Sequence, residues 1–155
     1  MSKSKKICII IGAIILVVGA IILYLLYFPV WDNTKTRNVV RNNTTQFANV
    51  WGNYQDESSS QRLEDLKKYF SKELVKQYDE DFQTLRNMSK RFGPSVSSQF
   101  VATSATITGY KSGVYSLEIM GDRTFPELNK TETINLETEI RKILGQWRII
   151  GFEVK

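Results

Sequence analysis

The sequence predicts an α+β protein in which an N-terminal transmembrane helix precedes about three helices and a four-stranded antiparallel sheet. Three observations predict this fold class. Residues 7–28 are apolar and carry no charge, apolar residues then recur at helical spacing up to Gly93, and after Pro94 they alternate with polar residues. Helices and sequential strands that are segregated in this way are typical of α+β domains.

A basic tail and an apolar segment open the chain. Residues 1–6 are predicted to be a cytoplasmic tail and residues 7–28 a transmembrane signal anchor. At about 1.5 Å rise per residue, the anchor is long enough for the ~30 Å hydrocarbon core of a bilayer. By the positive-inside rule, Lys3, Lys5 and Lys6 keep the N-terminus in the cytoplasm. The sequence therefore predicts a single-pass protein of the cell membrane with an extracytoplasmic C-terminal domain.

Several anchor residues carry expectations of their own. Aromatic side chains at the exported end suit the headgroup level of a bilayer. Two glycines on one face allow a second helix to approach closely, although glycine is also simply common in membrane helices. These predicted anchor residues are Ile7, Gly12, Gly19, Tyr24, Tyr27, Phe28 and Trp31.

A cleaved signal peptide is the alternative for this segment, because a basic tail before an apolar run is also its signature. The run exceeds the usual length of about 7–15 residues, and no small-x-small cleavage motif lies around Pro29, so the uncleaved anchor is favoured. Cys8, the only cysteine, is either a palmitoylation candidate or a small apolar membrane residue.

Residues 29–35 form a short linker, and residues 36–155 are predicted to be one exported domain that lies close to the membrane. The first helix is expected from about Thr36 to Tyr54. Its apolar residues share one side of the helix at spacings typical of an amphipathic helix, and they are Val40, Phe47, Val50, Trp51 and Tyr54.

Two further helices, or one helix bent near Ser71, are predicted before Gly93. Ser58 and Gln61 match a capping box at the start of this region. Ser71 is a second potential N-cap. The apolar stripes that follow these caps are Leu63, Leu66, Tyr69 and Phe70, and then Leu74, Tyr78, Phe82 and Leu85.

Four strands are predicted at about residues 101–108, 114–120, 131–144 and 147–154, joined by short turns and one longer loop over residues 121–130. Val101, Ala105 and Ile107 are expected on one face of the first strand. Apolar residues of the middle strands alternate with Ser, Thr and Glu. One sheet face is therefore expected to pack on the helices and the other to meet water or a partner.

Composition excludes several kinds of chemistry. The chain has no histidine and a single cysteine, so it can form no Ser-His or Cys-His nucleophilic site, no internal disulfide and no Cys-cluster metal site. No acidic residue falls on an apolar face, as a tuned general base would require, and Glu118 alternates onto the polar face. Basic and acidic residues are nearly balanced outside the tail, which disfavours nucleic acid. No cofactor or metal is predicted.

The domain resembles the nuclear transport factor 2-like superfamily over residues 36–155. The resemblance rests on the first amphipathic helix through Trp51 and Tyr54, on the segment from Leu63 to Leu74, and on the final hairpin Ile143-Leu144-Gly145-Gln146-Trp147-Arg148-Ile149. It implies a cone-like domain whose helices pack on a curved antiparallel sheet. Side chains that would line a pocket in such a cone are Trp51, Tyr54, Tyr69, Tyr78, Tyr115 and Trp147.

The layout, an exported domain of this kind behind one transmembrane helix, is similar to inner-membrane assembly components of type IV secretion and conjugation systems. It implies a non-enzymatic docking or assembly domain of a cell-envelope complex. Its expected partners are the membrane and other envelope proteins, or further copies bound through the transmembrane helix and the sheet face. One alternative is an exported domain that binds a small molecule or lipid. A third hypothesis is a cone-interior enzyme of the isomerase or dehydratase type.

Four Asn-x-Ser/Thr sequons bear on the compartment. They begin at Asn42, Asn43, Asn87 and Asn129 and would be glycosylation acceptors in a eukaryotic secretory pathway. In a chain rich in Asn and Thr such triplets also arise by chance. An exported domain without disulfides is more typical of a bacterial cell surface, which favours the accidental explanation.

Overall fold

The computed structural model describes residues 14–23, 32–93 and 96–155. Residues 14–23 are helical and are called α1. Three helices follow, α2 (Thr34–Gly52), α3 (Ser60–Lys67) and α4 (Lys72–Phe92), and then β1 (Gln99–Lys111), β2 (Val114–Phe125), a 3-10 turn (Pro126–Leu128), β3 (Lys130–Ile143) and β4 (Gln146–Val154). The strands form one sheet in the order β1-β2-β3-β4, with every neighbouring pair antiparallel. The predicted α+β class is confirmed.

Only part of the predicted anchor is described. The aliphatic side chains of α1, from Ile14 to Leu23, are largely exposed. Gly19 lies within α1, and a β-carbon added there would meet nothing within 4 Å. Among the described residues, no helix has the length and hydropathy of a membrane span. The tail and the other predicted anchor residues lie outside the described ranges: Lys3, Lys5, Lys6, Ile7, Cys8, Gly12, Tyr24, Tyr27, Phe28 and Trp31.

The helix starts show where the capping predictions were right and wrong. Ser71 caps α4 as predicted, because its hydroxyl accepts from the Leu74 amide at 3.2 Å. The predicted capping box at Ser58 is wrong. The Ser58 hydroxyl donates to the Asp56 carboxylate at 2.8 Å, and Ser59 occupies the N-cap position of α3. The Ser58 side chain thus bonds within the preceding turn and not to the start of α3.

The region around Ser71 separates α3 from α4, which settles the predicted choice in favour of two helices. Phe70 forms a parallel bridge with Ile149 of β4. The Ser71 amide donates to the Ile149 carbonyl at 2.8 Å, and the Ile149 amide donates to the Tyr69 carbonyl at 2.7 Å. The break between the helices therefore adds a short extended segment to the edge of β4.

The two faces of the sheet differ as predicted in its middle strands. The inner face carries Tyr115, Leu117, Ile119, Ile134, Leu136 and Ile140, all buried. In β1 the prediction for Val101 is wrong. A bulge between Ala102 and Ser104 turns Ala105 and Ile107 inward but leaves Val101 outward, 66% exposed. One extra residue shifts the alternation of side chains by one position.

β2 is longer than predicted and extends to Phe125. Residues 121–123, expected in a loop, pair instead with both β1 and β3. Gly121 is required there, because a β-carbon would meet the Phe100 ring at 2.4 Å and the Val101 carbonyl at 2.6 Å. Glycine signals a close packing contact at this position and not a turn.

The core lies between α2 and the inner face. Val40, Phe47, Ala48 and Trp51 of α2 are buried against the sheet, in agreement with the predicted apolar side of that helix. The Phe47 ring centroid lies 5.3 Å from that of Phe152. Because the helices cover only the inner face, the outer face of the sheet is left for other contacts.

Candidate interaction surface

The six side chains predicted to line a pocket lie in two separate aromatic groups. Four of them belong to the group around α2 and α4. Trp51 packs edge-on against Phe152 at 6.5 Å, Tyr69 lies 6.3 Å from Phe47, and Tyr78 lies 6.2 Å from Phe152. Tyr54, the fourth, stacks with arginine side chains at the margin of this group. The rings are thus occupied with one another and with cations.

Tyr115 and Trp147 form the second group together with Tyr110. The Tyr115 ring lies 4.5 Å from Tyr110 and 5.7 Å from Trp147. Its hydroxyl donates to the Asp32 carboxylate at 3.0 Å. Burial, followed by this hydrogen bond, raises the pKa of the Tyr115 hydroxyl, which stays protonated at neutral pH. A ligand pocket formed by all six residues stays a prediction.

Asp32 joins the start of the domain to the sheet. Arg37 donates to both Asp32 carboxylate oxygens, from Nε at 2.9 Å and from Nη2 at 2.8 Å. This bidentate contact lowers the pKa of Asp32, and the Tyr115 hydrogen bond lowers it further. The neighbouring Asn33 caps α2 by accepting from the Thr36 amide at 2.9 Å. The chain therefore enters the domain at the Tyr115 end of β2.

Two arginines at the opposite end of the sheet were missed by the sequence analysis. Arg62 is only 5% exposed and donates to the Trp51 carbonyl at 2.8 Å, while its guanidinium lies 4.3 Å from the centroid of Tyr54. Arg123 covers the Phe125 ring at 4.6 Å and donates to the Ser98 hydroxyl at 2.9 Å and to the Tyr54 hydroxyl. These contacts close the end of the core with cations stacked on aromatic rings.

A sequence signal for Arg62 did exist. It precedes Leu66 by four residues and therefore shares the buried face of α3. Burial raises the pKa values of the Tyr54 and Tyr78 hydroxyls, so both groups are protonated at neutral pH. The Glu57 carboxylate lies 3.5 Å from Nη1 of Arg62, so this region combines cations, neutral phenols and one paired carboxylate.

The outer face of the sheet carries a row of glutamates. Glu118, Glu137 and Glu153 lie directly opposite one another on β2, β3 and β4. Glu139 is in the adjacent row, where it faces Ser116 and Gly151. A groove of about 370 Å³ follows these rows and is lined by Thr108, Ser116, Leu117, Glu137, Thr138, Glu139, Gly151, Phe152 and Glu153.

The small residues of these rows give the groove its depth. A β-carbon added at Gly151 would first meet the Glu139 carboxylate, at 3.7 Å, so space is open above the β4 backbone. Glu137 forms an ion pair with Lys155 at 2.5 Å. Within the described parts of the chain, no three acidic or cysteine side chains are grouped so that they could hold a metal ion. The groove is therefore an acidic surface with open space above it.

Like charges directly opposite one another on a sheet are destabilising. Burial of the inner face requires only polar residues on the outer face, and Ser or Thr at these positions would meet that requirement. Lys155 offsets part of this repulsion, because it pairs with Glu137 and its pKa is raised by Glu137 and also by Glu153 and Glu118. This surface also matches the polar sheet face that the sequence analysis assigned to water or a partner.

Comparison with known proteins gives structural neighbours only. No protein-family model matches the chain, and no curated protein matches it. It is similar to the crystal structure of CagV, a VirB8 homolog of the type IV secretion system from Helicobacter pylori, with 14% identity, a TM-score of 0.54, and 76% of this chain and 97% of CagV covered.

Two further structures are similar. One is an IcmL-like type IV secretion system protein from Legionella pneumophila, with 8% identity, a TM-score of 0.57, and 77% of this chain and 91% of that protein covered. The other is the periplasmic domain of DotI, with 13% identity, a TM-score of 0.54, and 81% of this chain and 99% of that domain covered. At these identities the likeness establishes the fold alone, and the match covers nearly all of each of the three structures.

Proposed function

We propose that this chain is a membrane-anchored, non-enzymatic assembly component of a cell-envelope complex of the type IV secretion kind. Two of its structural neighbours are type IV secretion system proteins, and the third is a periplasmic domain. All three are covered over nine-tenths or more of their length, so the likeness extends over the whole domain.

Anchoring is supported by the sequence and by α1. Residues 7–28 carry no charge, and three lysines precede them. The aliphatic side chains of α1 are exposed along its described length, which is unfavourable in water and suits lipid. The exported domain then lies on the outer side of the membrane, where the sheet's outer face is available to other envelope proteins.

The single observation that carries the docking role is the row formed by Glu118, Glu137 and Glu153. We infer that it binds a lysine- or arginine-rich segment of another envelope protein, because three carboxylates face one lysine, Lys155, and further cations would offset the remaining repulsion. The groove beside the row is open, and Glu118 alternates away from the core. Electrostatic complementarity of this kind mainly sets partner choice and association rate.

Crosslinking in intact membranes tests this function. The tagged full chain is expressed in its own host, crosslinked and recovered beside the double variant Glu118→Lys and Glu153→Lys. We expect specific envelope proteins with the unmodified chain and a loss of at least tenfold in their recovery with the variant. Glu80→Lys, on the exposed side of α4, is the control for a changed surface charge and should leave recovery unchanged.

Two results would count against the proposal. Recovery of the chain alone, at normal abundance in the membrane, would remove the assembly role. Equal recovery of partners with the double variant and the unmodified chain would remove the outer face as the docking surface. A small molecule found by native mass spectrometry of the purified chain would instead favour the ligand-binding alternative.

A further inference from the structure

The two hairpin turns at the Asp32 end of the domain have the same backbone conformation but different side chains at their first position. Ser112 and Gly113 have φ of 50° and 79°, and Leu144 and Gly145 have φ of 49° and 81°. Two consecutive positive φ values are typical of a type I′ turn, for which Asn, Asp and Gly are strongly preferred at the first position. Serine is a small polar residue there, whereas leucine is bulky and apolar.

Leu144 has both an unfavourable backbone conformation and an apolar side chain exposed to water. Its backbone is in the left-handed region, which residues other than Gly, Asn and Asp seldom adopt. Its side chain is also 59% exposed at the tip of the hairpin. Leu144 lies beside a groove that Phe70 and Val75 also line, and the exposed part of its side chain is available for a contact outside the domain.

The topology places this tip on the side of the domain where the chain arrives from the predicted anchor. The Tyr115 hydroxyl bonds Asp32, and Tyr115 pairs with Ile140 of β3. Beyond the last β2–β3 pair, Val114 with Arg141, the β3–β4 hairpin continues alone to Leu144. At about 3.3 Å per residue, the tip projects about 10 Å past the Val114–Arg141 pair and thus beyond the β1–β2 turn.

The connection to the anchor is short. The span is predicted to end at Phe28, and Asp32 is bound to the sheet. Four steps of at most about 3.5 Å give a reach of about 14 Å between these two residues. The end of the domain that carries Asp32, Tyr115 and the projecting hairpin is therefore the end that faces the bilayer.

The charge at this end suits an anionic surface. Lys35, Lys111, Arg141 and Lys142 form no salt bridge within the described ranges. Of the carboxylates at this end, Asp32 is engaged by Arg37, and Glu73 lines a groove with Arg141 and Lys142. Exposed lysines and arginines beside an apolar side chain are typical of a segment that binds the headgroup region of an anionic membrane.

We propose that the β3–β4 hairpin contacts the membrane that holds the anchor. Leu144 enters the headgroup region, and Arg141 and Lys142 bind phosphate groups of anionic lipids. The inference rests on the proposed anchoring of residues 7–28. Together with the Asp32 contact, it fixes the orientation of the domain, so that the glutamate row is held at a constant angle to the bilayer.

Fluorescence of the full chain in vesicles tests the contact. Cys8 is replaced by Ser, and a polarity-sensitive dye is attached at Leu144→Cys or, as the control, at Leu128→Cys. Leu128 is equally exposed, at 58%, but lies at the opposite end of the sheet. In vesicles of phosphatidylcholine and phosphatidylglycerol, we expect a blue shift and quenching by brominated lipid for the dye at position 144 only. Both effects should weaken in pure phosphatidylcholine and when Arg141 and Lys142 are changed to Gln.

Co-flotation with the same vesicles after an alkaline wash distinguishes failure of the proposed anchor from failure of the proposed hairpin contact with lipid. Loss of the chain from the lipid fraction overturns the anchor. Retention of the chain with equal emission from the dyes at positions 144 and 128 overturns the lipid contact alone. Leu144→Asn is a second variant that retains the turn, because Asn is preferred at this position. Its melting temperature should be higher than that of the unmodified chain. In anionic vesicles, trypsin should cleave after Lys142 faster in this variant than in the unmodified chain. Equal cleavage of the two would contradict the lipid contact.

Discussion

The two faces of the sheet are built on opposite principles. Side chains are closely packed between the inner face and the helices, where Phe47 of α2 lies 5.3 Å from Phe152 of β4 and 5.6 Å from Phe70. On the outer face, Glu118, Glu137 and Glu153 face one another across three strands. Side chains pack closely on one face, and like charges are brought together on the other.

This difference separates the residues that hold the fold from those available for function. Truncation of an inner residue should cost stability, whereas neutralisation of an outer carboxylate should gain stability and cost binding. Two results would contradict this distinction. One is an outer-face mutation that lowers stability, and the other is an inner-face mutation that lowers partner recovery without unfolding the domain.

Phe47→Ala should have the largest effect. Phe47 is fully buried, and its removal leaves a cavity among the surrounding rings, so we expect a loss of about 3–5 kcal/mol in the free energy of unfolding. Urea unfolding of the full chain in mild detergent, followed by circular dichroism, measures it. Phe92→Ala is the matched control, because Phe92 is 83% exposed and its truncation should change stability by less than about 0.5 kcal/mol. Similar losses for the two variants would contradict the assigned core.

Gly121→Ala and Gly151→Ala compare the two faces with the same chemical change. A β-carbon at Gly121 would meet Phe100 and the Val101 carbonyl at 2.4 and 2.6 Å, so we expect a loss of about 1–3 kcal/mol. At Gly151 the first contact is at 3.7 Å, which is ordinary packing, and alanine should be neutral or slightly stabilising. The melting temperatures of the two variants give the comparison. Equal melting temperatures would mean that Phe100 moves aside without cost.

The sequence predicted most of the inner face, because periodicity reports burial directly. The helical spacing of Val40, Phe47 and Trp51 and the alternation in β2 and β3 both follow from one side of each element being buried. Features that depend on tertiary contacts were missed. The bulge after Ala102 turns Val101 outward without any change of residue type, and Gly121 is indistinguishable from a turn glycine until Phe100 is seen against it.

The outer face was predicted as a polar surface but not as a glutamate row. Alternation assigns Glu118 and Glu137 to that face, whereas only the register between strands places them opposite each other. Register is set by turn geometry and by the fit of the whole inner face. Likewise, the Asp32 contact with Tyr115 joins residues far apart in the chain, and no local pattern reveals it.

Glu118→Thr tests the outer face with a smaller effect on stability and the opposite sign. Removing one carboxylate from the row reduces repulsion, and threonine suits a strand, so we expect a gain of about 0.2–1 kcal/mol. Partner recovery after crosslinking should fall at the same time. Met120→Thr, on the same strand and face but outside the lining of the groove, is the control and should leave recovery unchanged. A loss of stability in Glu118→Thr would show that the row stabilises the fold, which would remove the argument for a docking role.

The smallest predicted effect concerns Asp32, where an exposed carboxylate holds an inner-face residue. The pKa of Asp32 is lowered, first by the Arg37 hydrogen bond, so the charged form binds its partners better in the folded state than in the unfolded chain. Its contribution to stability is therefore present above the unfolded pKa, near 4, and is lost as the pH falls through the lower folded value. The stability difference between the unmodified chain and Asp32→Asn should shrink on acidification from about pH 5 and stay constant above it. Carboxylates elsewhere with lowered pKa values, Asp65 and Glu127, remain in both proteins and cancel in the difference. Urea unfolding at several pH values measures this difference, and a gap that does not change with pH would mean that Asp32 contributes no charged contact to the folded domain.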